Sequence, residues 1–208
     1  MPFSDISGTR KKILTAAESL FAQHGYAGVS LRQITVAAKV NLAAVNYHYY
    51  DKESLYREIL TQRLKQINRR RLDMLAEAES RAGAGPVSLT DIIDALARPL
   101  FVSCETYSAA SARLLGRLLT ERQPFTDDLL RTEFQPVMTR FGQAVRRHTP
   151  SLSPADFLWR FSFVIGALHH AVATLPNMKN LTNGICRSDD AETALSNFTE
   201  FSTRALLR

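Results

Sequence analysis

The chain has 208 residues, 45% of them hydrophobic, which is enough for one large or two small domains with a sizeable core. Its net charge is +6 and its pI about 9.6, which favours an acidic partner such as nucleic acid. The two isolated cysteines exclude a disulfide framework, and the opening residues contain no apolar signal core, so we expect a reducing, cytoplasmic location. The basic excess is N-terminal: residues 1–81 hold 13 Lys and Arg against 8 Asp and Glu, whereas residues 82–208 hold 13 against 12.

The N-terminal part predicts four helices, because apolar residues recur there at helical spacing and suitable residues stand at the helix ends. The first three cover residues 9–24, 31–38 and about 42–49, and a long fourth helix begins after Asp51. The end residues are Gly25 as a left-handed C-cap, Ser30 and Gln33 as a capping box, and Asn41 as an N-cap.

The clearest linker is RAGAGPVS, residues 81–88. Helical segments follow at about 89–105, 108–122, 125–147, 154–174 and 189–207, with a polar loop at 177–188. Pro99 and Pro136 fall inside two of these segments, where each is expected to kink its helix and leave room for a pocket. No stretch has the alternation of a strand, so we predict an all-α fold of about nine helices.

One apolar run is long enough to raise the question of a membrane-spanning helix. Phe161 to Met178 contains no Asp, Glu, Lys or Arg over 18 residues, which is the lower limit for a membrane span. His169, His170 and Pro176 lie within the run, so a buried helix or a subunit interface explains it better.

The second and third helices, with the short turn at 39–41 between them, have the proportions of a helix-turn-helix. Ala43 and Ala44 make the third helix slender near its start, so that it can lie close to base edges in a major groove. Val45 and Tyr49 are expected to face inward, and Tyr47 and His48 to face phosphates. Aromatic residues on a helix more often serve packing than recognition, so this pattern alone leaves both interpretations open.

Residues 9–60 closely resemble the DNA-binding domain of the TetR-type, or tetracycline-repressor-like, transcriptional regulators. The resemblance lies in ILTAAESLFAQHGYAGVSLRQIT and AAKVNLAAVNYHYYDKESLY, and the AAVNYH segment resembles a common subgroup. It implies an N-terminal three-helix helix-turn-helix domain at 7–67, joined by a long helix to a C-terminal helical domain at 68–208 that binds an effector and dimerises.

By the same resemblance, eleven residues are expected to contact DNA. Ser30 would meet a phosphate at the start of the second helix, Arg32 would reach a base, and Lys52 would bind a phosphate. A surface ion pair for Arg32 and a solvated charge for Lys52 are the alternatives. The complete set is Ser30, Arg32, Lys39, Asn41, Leu42, Ala43, Ala44, Asn46, Tyr47, His48 and Lys52.

The sequence departs from the family pattern at three positions. Lys39 stands where the family usually has Gly, and its turn position favours a left-handed backbone that costs a non-glycine residue on the order of 1 kcal/mol. We hypothesise that Lys39 offsets this cost with a phosphate contact. Thr35 replaces a usual Ala and Tyr50 a residue that is often small or basic, and the sequence explains neither.

The C-terminal region is rich in aromatic residues, which for any single residue is ordinary core composition. The effector that the resemblance implies is small and partly apolar, and its pocket is predicted at Cys104, Tyr107, Arg113, Trp159 and Phe163.

The last two helices are predicted to form a four-helix dimer interface, since their small and apolar residues permit close approach. The predicted interface residues are Phe161 to Ala173, including Gly166, Ala167 and Ala171, together with Leu195, Phe198, Phe201 and Leu206. A two-fold dimer would present two recognition helices to a palindromic operator in double-stranded DNA.

Two other classes of protein compete with a regulator. An enzyme could use Cys104 or His169 and His170, yet the sequence has no HExxH, G-x-S-x-G, Walker or GxGxxG motif. Adjacent histidines point about 100° apart on a helix, which disfavours a shared metal, so neither metal nor cofactor is expected. A non-specific architectural DNA binder remains open and would bind every duplex with similar affinity.

Overall fold

The computed structural model describes residues 8–102, 109–121, 123, 125–187 and 190–207. The all-α prediction is confirmed, since every regular element in these residues is a helix. The α-helices are α1 Gly8–His24, α2 Leu31–Ala38, α3 Leu42–His48, α4 Lys52–Ala82, α5 Leu89–Phe101, α6 Ala109–Thr120, α7 Thr126–Leu129, α8 Gln135–Arg146, α9 Pro154–Thr174, α10 Met178–Leu181 and α11 Ala191–Leu207. A π-helix, Leu130–Phe134, joins α7 to α8, and a 3-10 turn, Leu175–Asn177, follows α9.

The predicted helix ends are confirmed in the N-terminal part. Ser30 and Gln33 make the full capping box of α2, and Gly25 takes a left-handed conformation after α1. Asn41 Oδ1 accepts a hydrogen bond from Ala44 N at 2.8 Å, and Asp51 Oδ1 accepts one from Ser54 N at 2.7 Å. Short helices such as α2 and α3 have little stability of their own, so these caps and their packing hold them.

The first compact unit consists of Met1–Gln66 and Cys104–Arg131, in which α1 packs against α2, α3 and α6. A buried ion pair joins α1 to α4, with the Arg63 guanidinium donating to both carboxylate oxygens of Glu18. The Ser111 hydroxyl donates to the same carboxylate at 2.7 Å and so adds α6 to this centre. Arg117 of α6 further donates to two backbone carbonyls at the end of α1. This bonding fixes the scaffold that carries α2 and α3.

The second compact unit consists of Ile67–Ser103 and Thr132–Arg208, with α5 packed on α8, α9 and α11. Asn68 Nδ2 donates to the carbonyl of Glu133 at 2.5 Å, and Arg71 Nε donates to that of Leu96 at 2.8 Å. Glu133 lies in the π-helix, so a side chain of α4 bonds this irregular turn.

Two details differ from the sequence predictions for the C-terminal part. Pro136 lies in the first turn of α8, directly after the π-helix, rather than inside one continuous helix. A helix start needs no N–H at that position, so the proline is accommodated there. The polar loop predicted at 177–188 contains the short α10. Pro99 is inside α5 as expected.

Among the described residues, one helical stretch, Pro154–Leu181, is long and apolar enough to cross a membrane by length and composition, with a mean hydropathy of 1.2. One such helix is weak evidence, because core helices of other proteins pass the same test. Phe157, Phe161, Val164 and Leu168 recur every three to four residues along α9 and are buried within the second unit. This stripe is the pattern of a helix that packs one side against protein.

Candidate nucleic-acid interface

The two sides of α3 differ in burial, as expected for a helix that rests on a scaffold and presents its other side outward. Val45 and the following Tyr49 are buried against the first unit. Ala43 and Asn46 are exposed, and Tyr47 is 85% exposed. The outer side therefore consists of small and polar groups with one aromatic ring, a surface slender enough for a major groove.

A hydrogen-bonded chain fixes the inner side of α3. Arg10 Nε donates to the Tyr49 hydroxyl at 3.3 Å, and Arg10 Nη2 donates to Glu58 Oε1 at 2.6 Å. Burial raises the pKa of Tyr49, so its hydroxyl stays protonated. The hydrogen bond to Glu58 raises the pKa of Arg10. The sequence does not predict that Arg10 and Glu58 position α3. Arg10 and Tyr49 are 39 residues apart, and no local pattern links them.

The predicted contacts at the start of α2 and α3 are exposed, apart from the partly exposed Ala44. Arg32 and Leu42 are open to solvent, and Ala44 is partly so. The Ser30 hydroxyl accepts from Gln33 N at 3.3 Å and donates to Gln33 Oε1 at 2.9 Å, so it already serves the cap. The cap uses the Asn41 side-chain oxygen and leaves its amide N–H groups as donors.

Lys52 has a different role from the exposed residues. Its ammonium group donates to the carbonyls of Tyr26 and Val29, each at 3.0 Å, and lies 4.2 Å from the centre of the Tyr26 ring. An ammonium group has three donors, so one remains for a phosphate. The main role of Lys52 in this structure is to tie the α1–α2 loop to the start of α4.

His48 and the neighbouring tyrosines differ in exposure, as the sequence suggests. The His48 ring is partly exposed and stands edge-on to that of Tyr47, with centroids 5.2 Å apart. Tyr50 is 91% exposed and has no ring partner among the described residues. Thr35, which the sequence left unexplained, is buried and donates its hydroxyl to the carbonyl of Arg32 at 2.7 Å. The hydroxyl is thus satisfied within its own helix.

Lys39 has the left-handed conformation that the sequence predicts, with φ of 55° and ψ of 48°. Its N–H donates to the carbonyls of Thr35 and Val36 and so ends α2. The side chain is exposed and lies next to the start of α3.

The structure describes three of the five predicted pocket residues. Cys104 and Tyr107 lie outside the described residues, and Arg113 is exposed on α6. Trp159 and Phe163 lie one turn apart on the outer side of α9, each 65% exposed, with ring centroids 5.7 Å apart. Exposed rings suit a protein interface better than an enclosed pocket, because the helical period turns them away from the buried stripe.

Some of the residues predicted for the dimer interface are buried within the subunit, and others are exposed. Phe161, Leu195, Phe198 and Leu206 are buried inside the second unit, whereas Phe201 of α11 is exposed. The positions three to four residues apart that pack α9 and α11 together cannot also face another chain. The outer apolar surface instead consists of Leu158, Trp159, Phe163 and Phe201.

The fold and the exposed third helix define a helix-turn-helix protein of the kind that regulates transcription. Residues 13–59 match the family model described as bacterial regulatory proteins of the tetR family, and residues 94–203 match the tetracyclin repressor-like C-terminal domain. The second model alone covers more than half of the chain. The chain belongs to the TetR family of transcriptional regulators, and the expected family is confirmed.

Relatives and solved structures agree with this assignment. The chain is 36% identical over 50 residues to the HTH-type transcriptional repressor AcnR of Corynebacterium glutamicum, a match that covers 24% of this chain and about a quarter (27%) of the repressor's own length. A structure assigned to the TetR family from Rhodococcus sp. covers 95% of this chain and all of its own, with a TM-score of 0.67 and 17% identity. A transcriptional regulator from Saccharomonospora viridis, solved in complex with choline, has a TM-score of 0.66 at 18% identity and covers 94% of this chain and 97% of its own. At these identities the structures show a shared fold.

Proposed function

We propose that this protein is a dimeric repressor that holds a palindromic operator through α2 and α3 and leaves it when a small effector binds. The observation that carries the proposal is the two-sided α3, with Val45 and Tyr49 buried and Ala43, Asn46 and Tyr47 exposed. Such a helix can enter a major groove without loss of its own packing.

The individual contacts follow from the chemistry of the exposed groups. Arg32 offers two parallel donors to guanine, and Ala43 and Ala44 offer apolar contact to a thymine methyl group. Asn46, Tyr47 and His48 offer polar groups to phosphates, which set register and affinity rather than sequence. Lys52 adds its remaining donor and holds the loop before α2 in place.

The dimer is supported by the exposed apolar side chains of α9 and α11. Leu158, Trp159, Phe163 and Phe201 are each more than half exposed in the single chain. Large apolar side chains exposed near one another, as the Trp159 and Phe163 rings are, are typical of a protein interface. In an isologous dimer the same surface on two copies would meet, and each α3 would read one half-site.

Release by an effector is a two-state mechanism. The ligand lowers DNA affinity if it binds more tightly to a conformation in which the two recognition helices no longer match the half-site spacing. Residues 7–67 would bind DNA, and residues 68–208 would bind the effector and form the dimer. The choline complex shows that a regulator of this fold holds a small molecule, and this is the support for a small, partly apolar effector here.

Selection of random duplexes on the purified full-length protein tests the proposal. We expect a palindromic winner that binds about 10³-fold or more tightly than unselected DNA at the same salt concentration. Equal affinity for every duplex would replace the repressor with an architectural DNA binder. Footprints of the selected site with and without candidate ligands then test release, and protection that no ligand alters would contradict a sensor role.

A further inference from the structure

A basic groove of about 780 Å³ lies in the first unit, between α1 and the C-terminal end of α2. Lys11 and Lys12 line it from α1, and Lys39 lines it from the turn that leads into α3. Leu20 and Ala38 contribute apolar lining to the same groove. Among the described residues that line the groove, none is Asp or Glu, so its charge has one sign.

The three ammonium groups are available to a ligand. In the part of the chain that the structure describes, no hydrogen bond or ion pair engages the side chain of Lys11, Lys12 or Lys39. Two other basic groups of the same unit differ in this respect, since Arg10 is paired with Glu58 and Lys52 is bonded to two carbonyls. Arg10 and Lys52 thus serve the architecture of the unit, as Arg63 and Arg117 also do, whereas within the described residues the three groove lysines do not.

The groove lies close to the proposed path of DNA. Only Val40 and Asn41 separate Lys39 from the start of α3 at Leu42, so Lys39 is at most about 10 Å along the chain from the recognition helix. That length corresponds to about three base pairs of duplex. Lys39 is therefore close enough to α3 to meet a strand whose bases contact that helix, and Lys11 and Lys12 line the same groove as Lys39.

We infer that this groove holds the phosphate backbone of the operator beside α3, and that Lys11 and Lys12 extend the contact made by Lys39. The inference rests on the proposed function, because it requires a duplex bound at α3. Each lysine neutralises one phosphate and releases condensed counterions, which supplies affinity without sequence information. An acidic amphipathic peptide is the competing occupant, but nothing connects such a peptide to the DNA-facing turn.

Salt dependence of binding tests this assignment. The probes are the duplex selected on the wild-type protein and a duplex of random sequence, each titrated between about 50 and 200 mM salt. The test variant is Lys11→Gln/Lys12→Gln/Lys39→Gln. The control variant, Arg69→Gln/Arg147→Gln/Lys179→Gln, removes the same three charges at exposed positions of the second unit. A third variant with Arg at all three groove positions keeps the charge.

We expect the plot of log affinity against log salt to become flatter by about 2.7 for each subunit in the groove variant, because each phosphate that a lysine no longer neutralises lowers the slope by about 0.9. The control and arginine variants should keep the wild-type slope, and all variants should show the wild-type circular dichroism spectrum. An unchanged slope in the groove variant, while the wild type still prefers its selected duplex, overturns the groove alone. A wild type that binds no duplex overturns the proposed function as well. A groove variant that keeps its DNA slope but has a weaker affinity for poly-glutamate would assign the groove to an acidic protein.

Discussion

The outer side of α3 in the first unit and the outer side of α9 in the second are both open to solvent, yet their side chains differ. The first presents Ala43, Asn46 and Tyr47, which are small or carry polar groups. The second presents Trp159 and Phe163, whose rings are two-thirds exposed. An aromatic side chain buries about 150–250 Å² when fully covered, so covering each of these rings gains roughly 3 kcal/mol.

This difference separates two kinds of partner. A polar helix with small side chains is stable in water and gains affinity from hydrogen bonds and phosphate charge, as DNA provides. An exposed aromatic pair is stabilised most when another apolar surface covers it, as a second copy of α9 would do in the proposed dimer. The two outer sides therefore suit different partners, because burial selects which side of each helix remains available.

The largest expected effect comes from removing the aromatic pair of α9. The double substitution Trp159→Ser/Phe163→Ser should raise the dimer dissociation constant by about 10³-fold or more, since each interface carries the loss twice and anchor residues contribute about 2 kcal/mol or more. Sedimentation equilibrium measures the change. Because both rings are exposed in the single chain, the thermal midpoint of the monomer should change little. Tyr50→Ser removes an exposed aromatic residue elsewhere and should leave the dimer intact, and equal weakening by both variants would contradict the assignment.

The second effect tests the outer side of α3. Ala43→Glu adds a carboxylate where the duplex would lie, and like-charge contact costs several kcal/mol, so we expect at least about a 100-fold loss of affinity for the selected duplex. Glu near a helix start is favourable to the helix, so the fold should remain. Ala76→Glu, at an exposed position of α4, is the matched control. Comparable losses in both variants would remove α3 from the interface.

A smaller effect is the pH dependence of stability that comes from His169, on the inner side of α9. The centroids of the His169 and Phe134 rings are 5.7 Å apart. Burial, together with the charge of Arg71, lowers the pKa of His169 from 6.5 to about 4. Between these values the unfolded chain binds a proton that the folded chain does not, so the free energy of unfolding falls as the pH falls, by up to about 1.4 kcal/mol per pH unit.

Chemical denaturation from pH 7 to pH 4 measures this slope. His169→Leu should flatten it by the contribution of one proton, with His148→Leu as the control in the same unit. A slope that His169→Leu leaves unchanged would show that the histidine is solvated in the folded protein.

The smallest expected effect is that of Lys39→Gly. Glycine adopts φ of 55° freely, so the variant should gain on the order of 1 kcal/mol in unfolding free energy by denaturant titration. Its DNA binding should also lose about 0.9 in salt slope for each subunit, if the lysine contacts one phosphate. Lys39→Gln should reproduce the loss of slope without the gain in stability. A stability gain with no change in slope would leave Lys39 as a turn residue alone.

Much of the N-terminal part was predictable because its signals are local. The Ser30–Gln33 box, the Asn41 cap and the left-handed Lys39 each depend on contacts within a few residues along the chain. The burial of Tyr49 and exposure of Tyr47 follow from helical spacing. The roles of Arg10 and Lys52 were not predictable, because their partners are more than twenty residues away.

The C-terminal part shows the opposite balance. Its sequence predicts apolar helices, but it does not predict which apolar side of each helix packs within the subunit. Phe161 and Phe163 differ by two positions and have the same chemistry, yet one is buried and the other exposed. Only the contacts of α9 with α5 and α11 decide that outcome.

The sequence by itself determined the all-α class and the helix ends of the DNA-binding part, since these depend on local hydrogen bonding and periodicity, while its resemblance to TetR-type regulators indicated the family. The tertiary structure alone decided which basic side chains form bonds within the protein and which aromatic rings remain exposed. It also decided that Lys11, Lys12 and Lys39 share one groove. The physical reason is that burial and charge pairing depend on residues distant in the chain, whose approach no local pattern encodes.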